Sequence, residues 1–310
     1  MNLLILEPLA KEYAKRISSK FPQMIIHPAT KEDEIGDFIE KADILLGFRI
    51  SDGLLKKAKN LKWIQSLGTG VDYFLNLPSL RKEILLSSTR GIHGPQMSEM
   101  AFLHMLVLNR NYPQVVRNQE KEAWERWPGT LLYQKKVGIF GVGTIGVELA
   151  RKCKAFGMTT YGIDIFRRDL DCIDHFYGPE DILKVVPEVD YLIVVAPYTP
   201  ETKRIINRKV FWTMKPTAFF INIGRGELIE EEALIDALNS GKIAGAGLDA
   251  FIQEPLPKGH PFWKTKNLII TPHVGGMSDI YVDQALSVFE PNLQKFLGGE
   301  RENLTNLIPR

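Results

Sequence analysis

Val137-Gly138-Ile139-Phe140-Gly141-Val142-Gly143-Thr144-Ile145-Gly146 is an apolar strand that runs into a glycine turn spaced GxGxxG, and residues 148–155 continue it as a helix. Each glycine answers a separate steric need: Gly141 a tight turn, Gly143 a close approach of backbone to a pyrophosphate, Gly146 tight packing of the new helix on its strand. Amides at the helix start, from Thr144 and Ile145 onward, then face the phosphates. Residues 158–163 read as the next strand. Asp164 stands at its end, where an acceptor for ribose hydroxyls belongs. The context implies a dinucleotide-binding unit.

Outward from this unit, the chain reads as two successive series of alternating strands and helices. In the first, residues 3–6, 24–27, 43–48, 63–67 and 84–88 are short apolar strands, with helical segments such as 31–42 between them. The second begins at 137–140 and continues through 159–163, 191–195, 218–223, 245–249 and 268–271, with helices such as 230–240 interposed, a six-strand Rossmann pattern. Residues 96–111 read as a long apolar helix between domains, and 279–297 as a helix that returns the C-terminus to the first domain. The fold expected is α/β with two parallel-sheet domains. A flavodoxin-like substrate domain takes 1–95 plus 280–310, a Rossmann domain takes 96–279, and a cleft lies between them.

Bulk composition narrows the partners. Lys and Arg total 39 against 37 Asp and Glu in 310 residues, and no basic block stands out, so neither nucleic acid nor a membrane surface is indicated. Cys153 and Cys172 form no CxxC, which argues against a disulfide framework or a thiolate zinc site, and His27, His175 and His260 have no metal-ligand spacing. No metal is expected. The apolar run 3–6 is too short for a signal h-region and no run approaches a membrane span, so the cytoplasm is the expected compartment.

Three segments at the ends of late Rossmann strands carry the candidate chemistry: Asn222-Ile223-Gly224-Arg225-Gly226, Gln253-Glu254-Pro255-Leu256-Pro257 and Thr271-Pro272-His273-Val274-Gly275-Gly276. Ligands of open parallel sheets gather beyond the carboxyl ends of the strands, where residues distant in sequence meet. An arginine fork holds a carboxylate or polarises a carbonyl, a histidine exchanges a proton near neutral pH, and a glutamate orients the ring and favours imidazolium. Singly, Arg225 also reads as a surface cation, Glu254 as a solvated loop acid, and His104 as packing on an apolar helix. His93, in a glycine-flanked loop, reads either as a substrate contact or as a turn residue.

With Leu67-Gly68-Thr69-Gly70-Val71-Asp72, the GxGxxG unit, Asn222 to Gly226, Gly247-Leu248-Asp249 before Glu254-Pro255-Leu256, and Thr271-Pro272-His273, the chain resembles the D-isomer-specific 2-hydroxyacid dehydrogenase family over nearly its whole length. The resemblance implies that Arg225 binds the substrate's carboxylate and keto oxygen, His273 is the acid-base and Glu254 its partner. It implies further that backbone at Gly68, Thr69, Gly70 and Val71 holds the carboxylate. Met97, in Arg90-Gly91-Ile92-His93-Gly94-Pro95-Gln96-Met97-Ser98-Glu99, is expected against the nicotinamide, and Pro197, Ile223, Gly224, Arg225, Asp249, His273 and Gly275 as further cofactor contacts. A charged segment, 120–126, followed by Trp127 is implied to be a dimerisation arm of a homodimer; an amphipathic surface segment is the other reading. Ile252-Gln253 stands where many relatives carry acids, and Ala250 replaces a common valine.

The activity expected is reversible NAD(P)H-dependent reduction of small 2-keto acids, such as glyoxylate, hydroxypyruvate or pyruvate, to D-2-hydroxy acids. Phe48, Arg49, Tyr73 and Phe74 are candidates to set side-chain size. Asp164 favours NAD, whereas Arg167 and Arg168 would attract the extra phosphate of NADP. A dinucleotide-sensing, corepressor-like protein with little turnover is the alternative from another class, and formate dehydrogenase a nearer one.

Overall fold

The structure is a computed structural model and describes residues 1–166 and 168–310. The chain divides into two compact units, Met1–Ile92 with Ser278–Arg310, and His93–Met277. These boundaries lie three and two residues from the 95/96 and 279/280 divisions expected from sequence.

The first unit is built on five parallel strands: β1 (Asn2–Leu6), β2 (Ile25–Ala29), β3 (Ile44–Gly47), β4 (Trp63–Ser66) and β5 (Leu85–Ser88), in the order β2-β1-β3-β4-β5. This is the flavodoxin-like order. Central strands β3 and β4 are buried at every residue, as expected where helices cover both faces of a parallel sheet. Pro28 is tolerated because β2 is an edge strand. The C-terminal Tyr281–Leu297 helix packs on one face, with Trp63 stacked on Phe289 at 5.4 Å and tilted on Phe296 at 5.1 Å. Burying each such ring contributes roughly 1.5–3 kcal/mol. The fully buried Asn292 closes this layer: its amide donates to Gln65 Oε1 and Thr305 O, and its oxygen accepts from Thr305 N.

Two expectations for this unit change. The helix expected over 31–42 is broken into a 3-10 turn, Glu32–Glu34, and a short helix, Phe38–Lys41, because Gly36 between them is left-handed at φ 53°. Phe74, a candidate to shape a substrate, is instead 1% exposed in the apolar core of the unit. Tyr73 and Phe48 remain exposed, with the Tyr73 hydroxyl donating to Ile50 O and Arg49 over its ring.

The second unit carries seven parallel strands rather than six: β6 (Lys136–Phe140), β7 (Thr159–Ile163), β8 (His175–Tyr177), β9 (Tyr191–Val194), β10 (Phe219–Asn222), β11 (Gly245–Leu248) and β12 (Leu268–Ile270). The extra strand, β8, has three residues at the sheet edge, too few for an alternation to show. The order is β12-β11-β10-β9-β6-β7-β8, so the chain reverses direction across the sheet between β6 and β9. That switch point is where an open α/β sheet binds its ligand. The Gly94–Asn109 helix packs against the Thr144–Ala155 helix and against β10 and β11. Among the described residues, no helix is long and apolar enough to cross a membrane.

Candidate active site

The turn after β6 has the form its glycines require. Gly141 has φ 101°, and a Cβ there would lie 2.6 Å from Ala196 N, because the loop after β9 runs alongside. Gly146 is tighter, since an added Cβ would lie 2.1 Å from Gly141 O. Gly143, by contrast, faces open space and starts the Thr144–Ala155 helix, whose first amides have no intrahelical partner. A bare, convex backbone turn at a helix N-terminus fits a pyrophosphate. Asp164 ends β7 beside it: Oδ2 accepts from Val142 N at 2.7 Å and Oδ1 from Phe166 N at 3.0 Å. A carboxylate has about four acceptor sites, so this anchoring leaves capacity for ribose hydroxyls. Arg168 Nη1 donates to Val142 O at 3.5 Å, while Arg167 lies outside the described residues.

Beyond β10, the buried Asn222 folds the next turn, its side chain accepting from Gly224 N and donating to Arg225 O. The turn is pressed against its neighbours. A Cβ on Gly224 would lie 2.9 Å from Ala196 O, and one on Gly226 would lie 2.1 Å from Phe251 C. Arg225 is thereby held between the loops after β9 and β11, half-buried, with Nη1 donating to Gly224 O. Pro197 lies exposed in the loop after β9, and Ile223 is buried in the turn after β10.

Glu254 and His273 meet across the loops after β11 and β12. His273 Nδ1 lies 2.8 Å from each carboxylate oxygen of Glu254, and Oε1 also accepts from Phe251 N at 3.0 Å. A carboxylate between two donors can only accept, so Nδ1 carries a hydrogen and Nε2 is the nitrogen left for chemistry. The His273 side chain is 41% exposed, which leaves that nitrogen reachable. Asp249, 1% exposed, ties the same loop down by accepting from Thr271 Oγ1, Val274 N and Gly275 N.

His93 is buried, and burial, followed by the nearby positive charge of Arg225, pushes its pKa down to about 4. It is therefore a neutral imidazole near Arg225 at physiological pH. Met97 is 9% exposed and packs into the core beside Ala101 and Phe102. Gly68, Thr69 and Gly70 form a half-buried turn after β4, braced by Ser66 Oγ accepting from Gly68 N, with Val71 buried behind it. Among the described residues, no group of three or more His, Cys, Asp or Glu side chains could hold a metal. The sequence reading of His104 as mere packing missed its bond to Thr271. The available signal was a histidine at an interior position of an otherwise apolar helix.

Residues 102–275 match the family described as D-isomer specific 2-hydroxyacid dehydrogenase, NAD binding domain. The chain is 30% identical, over 99% of its length, to D-3-phosphoglycerate dehydrogenase of Methanocaldococcus jannaschii, of which it spans 60%. It is 31% identical to glyoxylate/hydroxypyruvate reductase A of Serratia proteamaculans, with 90% of each chain covered. Among solved structures, a D-isomer specific 2-hydroxyacid dehydrogenase family protein from Aeromonas salmonicida superposes with TM-score 0.91 at 34% identity, covering 99% of this chain and 98% of that one. An NADPH-dependent glyoxylate/hydroxypyruvate reductase from Sinorhizobium meliloti, in complex with NADP and sulfate, does so with TM-score 0.84 at 26% identity, covering 99% and 98%. The chain belongs to the D-isomer specific 2-hydroxyacid dehydrogenase family, whose members are NAD(P)-dependent oxidoreductases.

Proposed function

We propose that this protein catalyses the reversible reduction of small 2-keto acids of the glyoxylate and hydroxypyruvate class to D-2-hydroxy acids. The observation that carries the reading is His273 held by Nδ1 on both oxygens of Glu254, with Nε2 left to exchange a proton. When bound, the nicotinamide supplies or accepts the hydride. His273 protonates the keto oxygen in reduction and takes the proton back in oxidation, while Glu254 holds the ring in the orientation and tautomer that present Nε2. Arg225 binds the substrate carboxylate and keto oxygen through its planar fork and stabilises the negative charge that develops there. Backbone amides at Gly68, Thr69, Gly70 and Val71 would hold the carboxylate.

For the cofactor, the assigned contacts are Gly141, Gly143, Thr144, Ile145, Gly146 and Asp164 along the phosphates and ribose, with Met97, Pro197, Ile223, Gly224, Asp249 and Gly275 toward the nicotinamide. The fit rests on the open backbone at Gly143 and the anchored carboxylate of Asp164. Relatives that act on glyoxylate and hydroxypyruvate support the substrate class. A homodimer is the assembly assigned, on the strength of exposed Leu103, Leu106, Leu131, Tyr133 and Phe156. Two free, buried cysteines suit the reducing cytoplasm.

The test is a kinetic panel of glyoxylate, hydroxypyruvate, pyruvate and branched 2-keto acids against NADH and NADPH. At least one pair should turn over at ordinary enzyme rates, within about 1–10³ s⁻¹. Tight cofactor binding with no turnover on any acid would instead support a sensor.

A further inference from the structure

His104 lies inside the Gly94–Asn109 helix with no exposed surface, and its Nε2 is 3.2 Å from Thr271 Oγ1. Thr271 Oγ1 is in turn 2.5 Å from Asp249 Oδ1. Because a carboxylate only accepts, the single hydroxyl hydrogen points to Asp249, and the imidazole must bring its own hydrogen to Thr271. The ring is therefore the Nε2–H tautomer, and its Nδ1 is a bare lone pair. That atom is buried with no hydrogen-bond partner among the described residues, facing Gly247, where an added Cβ would lie 2.5 Å away. Burial also lowers the ring's pKa to about 4, against an opposing pull from Asp249, so it is neutral at ordinary pH.

The bonds bracket His273. Asp249 Oδ1 also accepts from Val274 N at 3.1 Å, and Oδ2 accepts from Gly275 N at 2.9 Å. Between Thr271 and Val274, His273 adopts φ 52°, a left-handed conformation that costs a non-glycine residue free energy and persists only where its surroundings over-determine it. Rotation of that backbone would swing the ring off Glu254. An apolar side chain at position 104 would pack the helix without burying an unmatched lone pair.

We propose that His104 and Thr271 are positioning residues for His273, acting through Asp249 to hold its backbone in the conformation that delivers the ring to Glu254. The proposal rests on His273 being the acid-base group. Glu254 is a charged group that faces His273, and Asp249 one that faces Thr271 and His104.

The experiment measures kcat for glyoxylate or hydroxypyruvate reduction, KM for the nicotinamide cofactor and melting midpoint in five variants. Thr271→Val should lower kcat by about tenfold or more with cofactor KM within about twofold, because misplacing a reacting group costs rate rather than cofactor binding. Thr271→Ser, which keeps the hydroxyl, should stay within about threefold of the parent. His104→Met should fall with the valine variant, and His104→Gln, which keeps an N–H donor, should recover most of the loss. A Thr271→Val kcat within about twofold of the parent, a serine variant as poor as the valine one, or a glutamine variant as poor as the methionine one overturns the proposal. Should Thr271→Val not fold, the His104 pair decides on the same criteria. His273→Gln separates the two layers: retained turnover removes the acid-base reading and the proposal with it, whereas lost turnover beside an unaffected Thr271→Val rejects the positioning role alone.

Discussion

His273 Nδ1 stands equidistant, at 2.8 Å, from the two carboxylate oxygens of Glu254, so the ring faces the carboxylate edge-on and presents Nε2 on the opposite side. A carboxylate at that distance fixes the orientation of the ring and its tautomer. Reduction takes a proton from that ring and oxidation returns one to it.

Replacing the charge while keeping the shape isolates this contact. Glu254→Gln should lower kcat for 2-keto acid reduction and for 2-hydroxy acid oxidation alike, by on the order of tenfold or more, because one amide oxygen no longer clamps the ring from both sides. The side-chain oxygen can still accept from Phe251 N, so the loop should stay folded. Steady-state kcat in both directions beside the melting midpoint checks this, and unchanged rates in a folded variant would reject the role.

Arg225→Lys should lower kcat/KM for the keto acid by on the order of 10²-fold, since an ammonium on a flexible stem cannot reproduce two parallel N–H donors at a developing charge. Cofactor affinity, followed by fluorescence titration, should change far less. Unaltered kinetics would place Arg225 outside the reaction.

The close approach of Gly146 to Gly141 O, 2.1 Å for an added Cβ, makes Gly146→Ala an overpacking change against backbone. It should cost about 1–3 kcal/mol of stability in chemical denaturation and weaken NADH and NADPH binding together. Full stability with unchanged affinity would mean that the turn relaxes freely.

Glu7, just beyond β1, is 8% exposed with Oε1 lacking a hydrogen-bond partner among the described residues, and burial raises its pKa to about 7. An acid whose folded pKa exceeds its unfolded value holds its proton longer in the folded state, so stability falls as pH rises from the unfolded pKa to the folded one and then levels. For Glu7 that window runs from 4.5 to about 7. Glu7→Gln should therefore match the parent near the acid end of the window and exceed it by about 3 kcal/mol at pH 8. Denaturant midpoints at the two pH values measure the difference, and a gain independent of pH would be inconsistent with titration of Glu7.

Asp164 accepts from Val142 N and Phe166 N, which fixes a negative charge at the end of β7. That charge should make kcat/KM higher with NADH than with NADPH, and Asp164→Ala should shift the ratio toward NADPH by removing repulsion of the extra phosphate. A parent enzyme that prefers NADPH would overturn this and make Arg168 the next phosphate ligand to test.

Much of the architecture was legible in the chain, because local patterns carry it. Apolar runs of four to six residues alternating with helical periodicity mark parallel strands buried on both faces, and the GxGxxG spacing marks the strand whose end must turn tightly. Arg225, Glu254 and His273 were legible as polar residues at strand ends, where a parallel sheet places its ligands. Gly36 shows where a local pattern fails: one left-handed residue broke a helix that the surrounding periodicity favoured. The short edge strand β8 carried too few residues to announce itself. The bond between His273 and Glu254, the left-handed turn at His273, and the line of bonds from His104 through Thr271 to Asp249 were decided only by tertiary structure. Those contacts join residues 19 to 167 positions apart, and hydrogen-bond direction depends on which groups burial brings within 3 Å or so, a quantity no local pattern encodes.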